Sequence, residues 1–131
     1  MLKSFFAITA AVLLTAPFVA PQTLKPQPLI LPLQCSHGDC PLLKGVPQTA
    51  GMHSGFVHLL PGETVGWHTT GANEESLVIL HGRGEVMIEG QVSIPFTAPI
   101  MVYVPSATRH NVKNTGMEPL EYVYVVAPAK E

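Results

Sequence analysis

The sequence predicts an all-β domain, and three observations carry that prediction. Only 12% of the 131 residues are charged, so few helix-compatible charge patterns occur. Thirteen prolines and eleven glycines punctuate the chain at short intervals. Between these turn formers lie short apolar runs with the length and spacing of β-strands. A chain of this length has room for one domain with its own core, but not for two.

The expected strands follow one another through the second half of the chain, and we place the barrel at residues 55–131. In chain order they are 56–60, 64–69, 75–81, 85–88, 91–94, 100–104, 110–113 and 120–126. Turn signals such as Pro61-Gly62 and Glu89-Gly90 separate them. Short strands spaced in this way predict a β-sandwich or β-barrel.

Residues 1–20 differ in composition from the rest of the chain. Lys3 precedes an apolar block at 5–14, and small residues close the stretch, which is typical of a secretory signal peptide. The apolar block is too short for a stable membrane anchor. We therefore expect export to the periplasm or the cell exterior, with no membrane span after signal removal.

Residues 21–54 are expected to form a proline-rich tether and a cysteine loop. Both cysteines of the chain, Cys35 and Cys40, lie in that loop. In an exported protein they would close a small disulfide loop. The alternative is a Cu or Zn clip that includes His37. The disulfide is favoured because a tetrahedral clip would lack a fourth protein ligand. The remaining residues, 41–54, have the composition of a loop.

Metal-binding residue types occur on the predicted strands. His68 and Thr70 share one face of the chain at 64–70, and Glu75 lies on the apolar face of the strand that follows. A second imidazole, His110, begins a late strand. If those faces line the inside of a small barrel, imidazole and carboxylate groups meet there, which is the outline of a metal site.

The spacing of these residues resembles the first of the two motifs of the cupin superfamily. That motif is Gly, five residues, His-x-His, three or four residues, Glu, six residues, Gly. The matching positions are Gly62, His68, Glu75 and Gly82. Thr70 stands where the family has its second histidine.

The second cupin motif is Gly, five residues, Pro-x-Gly, two residues, His, three residues, Asn. Pro105, His110 and Asn114 match it, whereas Pro99 and Ala107 replace the two glycines. The match gives Asn114 a structural role behind the motif.

The resemblance implies a double-stranded β-helix, a jelly-roll barrel that holds one divalent metal ion. His68, Glu75 and His110 would be its ligands, with Thr70 as the candidate fourth position. Zn, Cu, Mn, Fe and Ni all suit imidazole and carboxylate ligands. It also implies a homodimer and a small-molecule ligand.

Three functions stay open. The first is an oxygenase or isomerase that acts on a small chelating substrate, with Glu75 as a candidate base. The second is a binding or sensor module for a small molecule or sugar, and the third is a metal-free structural barrel. A nucleic-acid partner is not expected, because the net charge is -2 and no basic cluster occurs. No Gly-x-Ser-x-Gly nucleophile motif is present.

Two further groups of residues bear on the site. His81 shares the alternation of Glu75 but adjoins Gly82, so we expect it at the rim of the barrel and not as a ligand. The strand aromatics are expected to pack in the core, although one of them could line a pocket. They are Phe56, Tyr103, Tyr122 and Tyr124.

Overall fold

The computed structural model describes residues 25–129, and within that range the chain is built from eight β-strands. They are β1 (Gly38–Lys44), β2 (His53–Leu59), β3 (Asn73–His81), β4 (Arg83–Ile88), β5 (Ile94–Thr97), β6 (Ile100–Val104), β7 (His110–Asn114) and β8 (Leu120–Pro128). One sheet has the order β1-β2-β8-β3-β6, and the other has the order β5-β4-β7. Every strand pair is antiparallel. The predicted all-β architecture is confirmed.

The core lies between the two sheets, because each strand presents alternate side chains to the inside. On β3, for example, Leu77 and Ile79 are buried whereas Val78 faces outward. Burying one such side chain contributes about 1.5–3 kcal/mol. The buried apolar cluster consists of Val57, Leu59, Leu77, Ile79, Val86, Phe96, Val112, Leu120 and Tyr122.

Most predicted strands lie within a few residues of the observed ones, but the strand at 64–69 is wrong. This segment runs beside β7 and makes only two isolated bridges, Thr64 with Lys113 and His68 with His110. Gly66 interrupts it with a φ of +91°, a left-handed backbone conformation that a regular strand does not contain. The strand expected at 91–94 is also displaced, to Ile94–Thr97.

Strand β1 lies where the composition suggested a loop. It pairs with β2 at the edge of the five-stranded sheet, and its register shifts between Pro41 and Leu43. Proline is tolerated in this position because an edge strand or a bulge leaves backbone donors unpaired anyway. The proline and glycine content of this segment therefore led to the wrong prediction of a loop.

The structure contains the predicted disulfide between Cys35 and Cys40, so the alternative metal clip is not formed. The third clip residue, His37, contacts Glu63 instead, with its Nε2 atom 2.8 Å from the nearer carboxylate oxygen. This contact lowers the pKa of Glu63, and the backbone N–H of Leu60 adds to the effect. The pair ties the disulfide loop to the turn after β2.

The signal peptide predicted at 1–20 lies outside the described residues. Among residues 25–129, no helix has the length and hydropathy needed to span a lipid bilayer.

Candidate metal centre

A pair of backbone hydrogen bonds brings His68 and His110 together. The N–H of His68 donates to the His110 carbonyl at 3.0 Å, and the N–H of His110 donates to the His68 carbonyl at 2.9 Å. Reciprocal bonding of this kind places two residues directly opposite each other. Their ring centroids are 4.3 Å apart. A single isolated bridge thus places His68 opposite His110, where a complete strand was predicted.

Both imidazoles are oriented by hydrogen bonds through Nδ1. In His68 this atom lies 2.9 Å from the carbonyl oxygen of Gly66, and in His110 it lies 3.0 Å from that of Thr108. A carbonyl oxygen only accepts hydrogen bonds, so each Nδ1 carries the proton and each Nε2 keeps its lone pair. This is the arrangement that prepares a histidine to bind a metal through Nε2.

Glu75 approaches the two rings from the opposite sheet. It lies on β3 between Val104 of β6 and Val126 of β8, and its side chain is buried. Its Oε2 atom is 3.1 Å from Nε2 of His110 and 4.0 Å from Nε2 of His68. The three ligand atoms lie within 4.8 Å of one another, so the set could hold a metal ion.

The inner part of this cluster is buried and short of hydrogen-bond partners. Glu75 Oε2 and His110 Nε2 lie 3.1 Å apart, yet neither is in a hydrogen bond of good geometry, and the pair is ionic only when His110 is protonated. Burial by itself lowers the pKa of His110, but the contact with Glu75, the Thr108 carbonyl and the Glu75 charge together outweigh burial. The pKa of His110 is therefore raised in the metal-free protein.

Thr70 lies beside the cluster but is committed to the backbone. Its hydroxyl donates to the Asn73 carbonyl at 2.8 Å, and the Asn73 side chain donates back to the Thr70 carbonyl at 3.0 Å. This exchange shapes the turn that leads into β3. The hydroxyl oxygen keeps lone pairs at the edge of the cavity, and its use as a fourth ligand stays a prediction.

The cluster opens into a cavity of about 370 Å³. Its walls are mainly apolar, with Val57, Leu77, Val112 and Val126 among them. Polar groups that the sequence did not single out as site residues also line it. They include Asp39, His53 and Thr69, together with the hydroxyl of Tyr124, which donates to Asp39 at 3.3 Å.

Tyr122 and Tyr124 both line the cavity, so the expectation that a strand aromatic could do so is met by two of them. They are two residues apart on β8 and therefore face the same way. Burial, followed by the charges of Glu75 and Asp39, raises the pKa of Tyr122. Burial, the Asp39 charge and the hydrogen bond to Asp39 raise the pKa of Tyr124 to about 12. Both phenols thus remain neutral hydrogen-bond donors.

Asp39 could not be predicted as a site residue, because its position depends on the pairing of β1 with β2. In the register of β1 and β2, Asp39 lies opposite Val57, a core residue that lines the cavity. A residue of the cysteine loop thereby reaches the cavity mouth. The glycine at position 55, inside a strand, was a weak sequence signal that another group packs closely there. That group is the Tyr124 ring, which would lie 2.5 Å from a Cβ at position 55.

His81 lies away from the cluster, at the rim, as predicted. Its Nδ1 atom is 3.1 Å from the Pro119 carbonyl, and its side chain is exposed. Asn114 has the predicted structural role, because it is fully buried and its side chain makes three hydrogen bonds. The side-chain amide donates to the carbonyls of Leu59 and Glu118, and its oxygen accepts the N–H of Gly116.

Comparison with known proteins identifies the family. The cupin domain model matches residues 55–126, more than half of the chain. The chain belongs to the cupin superfamily. The resemblance of the two motifs and the predicted double-stranded β-helix are thereby confirmed.

One sequence relative and two solved structures are similar to this cupin. A protein named polyketide synthase CurC from Streptomyces cyaneus is 33% identical over 85 residues, which cover 63% of this chain and 54% of the relative. The cupin thus spans about half the length of that curated relative. A crystal structure from Bacillus halodurans has a TM-score of 0.68 at 20% identity, and covers 81% of this chain and 85% of its own. A cupin 2 conserved barrel domain protein from Salinispora arenicola has a TM-score of 0.60 at 26% identity, with 81% and 90% covered.

The structure explains why one motif glycine is kept and another is replaced. Gly82 is required, since its φ is +87° and a Cβ would lie 2.6 Å from the Pro119 carbonyl oxygen. Ala107 replaces a motif glycine but keeps the left-handed conformation, with a φ of +56°. Its N–H donates to the Gly71 carbonyl at 2.7 Å, which fixes the turn before His110.

Proposed function

We propose that His68, Glu75 and His110 bind one divalent metal ion in this cupin. One observation carries the proposal: Glu75 Oε2 and His110 Nε2 are buried at the point where the three side chains converge, and neither makes a hydrogen bond. Buried polar atoms without partners are rare in folded proteins, and a cation between them would satisfy both.

The ligand geometry is compatible with an ion about 2.0–2.2 Å from each donor atom. The carboxylate oxygen and the two Nε2 atoms need to move only slightly, and the His68 side chain, which is 41% exposed, has room to do so. Imidazole and carboxylate suit Zn, Cu, Mn, Fe and Ni. A chain that folds after export would meet Zn or Cu as the strongest competitors.

Three protein ligands leave positions open toward the cavity, which supports a small chelating substrate. A bound ion would supply Lewis acidity or oxygen activation there. We propose an oxygenase or isomerase that acts on a compound with two neighbouring oxygens, such as a dihydroxy-aromatic, enol or keto compound. The similarity to a polyketide synthase protein favours this class, since polyketides carry keto and enol oxygens.

A non-catalytic binding or sensor cupin is the alternative, and one feature favours it. Glu75 is the candidate base, but as a metal ligand its carboxylate would be occupied. The cavity would then hold a small molecule or sugar without transforming it. A metal-free structural barrel, held by the ionic contact of Glu75 and His110, is the remaining possibility.

Export and dimer formation are part of the proposal. We infer that residues 1–20 are a signal peptide, and the disulfide of Cys35 and Cys40 supports an oxidising location. Exposed apolar side chains of β3 and the edge strand β6 support a homodimer through the outer face of the sheet. They are Val78, Leu80 and Met101.

Metal analysis by mass spectrometry of protein purified from its native compartment tests the metal proposal. We expect close to one ion per chain, and a loss of most of it in His68→Ala and His110→Ala. His81→Ala is the matched control, because His81 is an imidazole outside the cluster. Wild-type protein without stoichiometric metal would contradict the proposal.

Catalysis is tested on the metal-loaded protein with catechol and 1,3-diketone substrates. Oxygen consumption or product formation that disappears in His110→Ala supports an enzyme. Saturable binding without turnover supports the sensor.

A further inference from the structure

We propose that the cavity of this cupin takes a neutral or cationic small molecule whose far end donates a hydrogen bond to Asp39, and that it discriminates against anions. The inference rests on the proposed function, because it names the substrate class of the same site. The substrate would chelate the metal at one end and carry a hydroxyl or ammonium donor at the other. Dicarboxylates and phosphate esters would be poor ligands.

The charges of the cavity lining are the first argument. Glu75 and Asp39 are both carboxylates, and no lysine or arginine is among the described residues that line the cavity. Protein sites for carboxylate or phosphate ligands use arginine, lysine or clustered backbone donors to replace the lost hydration. An anionic group at the far end of this cavity would instead meet the Asp39 carboxylate.

The placement of Asp39 is the second argument. Asp39 lies directly opposite Val57 in the sheet and therefore shares its inner face. The disulfide between Cys35 and Cys40 restrains the segment that contains Asp39. The Tyr124 hydroxyl donates to one of its oxygens at 3.3 Å, and the ring of that tyrosine occupies the space above Gly55. Asp39 is thus held at the mouth, with lone pairs left to accept a hydrogen bond from a ligand.

The wall between the two ends is the third argument. Val57, Leu77, Val112 and Val126 make it mainly apolar, and the volume of about 370 Å³ suits a molecule with one ring. Tyr122 lines the same wall, and burial, followed by the charges of Glu75 and Asp39, raises its pKa, so it remains a neutral donor. It could donate to an oxygen in the middle of the ligand.

Three catechols of similar size whose side chains differ in charge test the proposal. They are dopamine (cationic), 4-ethylcatechol (neutral) and 3,4-dihydroxyphenylacetate (anionic). Binding to the Zn-loaded protein is measured by calorimetry under argon at pH 8, where an ordinary imidazole is uncharged. We expect dopamine to bind about five-fold more tightly than the anion, which corresponds to a partly exposed charge contact.

Variants assign that preference to Asp39. Asp39→Asn should reduce the difference between dopamine and the anion to about two-fold or less, because the charge is lost and the size is kept. Glu85→Gln is the matched control, since it removes the same charge from a residue outside the cavity lining. It should leave the five-fold difference unchanged.

Anionic probes that bind as tightly as dopamine, or a preference that Asp39→Asn leaves intact, would overturn the inference. A second arm separates this result from a failure of the metal proposal. In metal-free protein, phenethylamine should shift the NMR resonances of cavity residues at lower concentration than phenylacetate does. That order does not depend on a bound ion, and the reverse order would also overturn the inference.

Discussion

The two segments that supply the imidazoles are built in different ways. His110 begins the regular strand β7 and is fully buried, whereas His68 lies in a segment held by two isolated bridges, with 41% of its side chain exposed. Behind His110, the buried Asn114 connects β7 to Leu59 and Glu118. The segment that carries His110 is therefore part of the fold, and the segment that carries His68 is attached to its edge.

This difference suggests a division of labour in the site. His110 and Glu75 form a buried pair that packing holds in place, so they would set the position of a bound ion. His68 would adjust its distance to such an ion, because its side chain is partly exposed. Departures from the family pattern should be tolerated better in the segment of His68 than in β7, and Thr70 is such a departure.

Asn114→Ala gives the largest expected effect and tests the structural half of the comparison. The change leaves one buried carbonyl, one partly buried carbonyl and one buried N–H without their side-chain partner, which should lower the free energy of unfolding by about 3 kcal/mol. Thr70→Ala removes a single partly buried hydrogen bond and should cost about 1 kcal/mol. Urea denaturation of the metal-free proteins measures both. Equal losses would show that the two motif segments contribute alike.

Thr70→His tests whether the first motif can be completed. A fourth imidazole beside the cluster should raise Zn affinity about ten-fold, net of the lost bond to Asn73. Competition with a chromophoric chelator measures the change. Thr64→His is the control, because it adds an imidazole to the same segment outside the cavity lining. Unchanged affinity in Thr70→His would mean that position 70 cannot reach the ion.

The pH dependence of the metal-free protein tests the buried pair. NMR titration should place the pKa of His110 above its ordinary value of 6.5, because the Glu75 contact and the Thr108 carbonyl outweigh burial. A pKa that is raised on folding stabilises the protein fully below the unfolded pKa, and that contribution is lost as pH rises through the folded value. The unfolding free energy should therefore fall as pH rises from about 6.5, and His110→Gln should not show this fall. A pKa of His110 below 6.5 would contradict the account.

Ala107→Gly gives the smallest expected effect. Alanine at a φ of +56° costs about 1 kcal/mol, and glycine removes that strain while it increases the entropy of the unfolded chain. We expect a net gain in stability of about 0.5 kcal/mol in thermal or urea unfolding. Serine at the same position is the control and should not stabilise. A loss of stability in Ala107→Gly would indicate that the turn before His110 is not strained.

Sequence patterns predicted the fold because its determinants are local. Alternation placed Glu75 with the buried Leu77 and Ile79, and motif spacing identified His68, His110 and Asn114. Strand β1 and its residue Asp39 could not be predicted in this way, since their positions depend on pairing with β2. Likewise, Gly66 looked compatible with a strand until its positive φ was known. These features could not be predicted from sequence, because they depend on contacts between distant segments.

The most direct test of the metal site is anomalous diffraction from crystals of the protein grown with Zn. We expect a single strong peak about 2.0–2.2 Å from Nε2 of His68, Nε2 of His110 and a carboxylate oxygen of Glu75. A site without a peak, or a peak held by other residues such as His37 and Glu63, would contradict it.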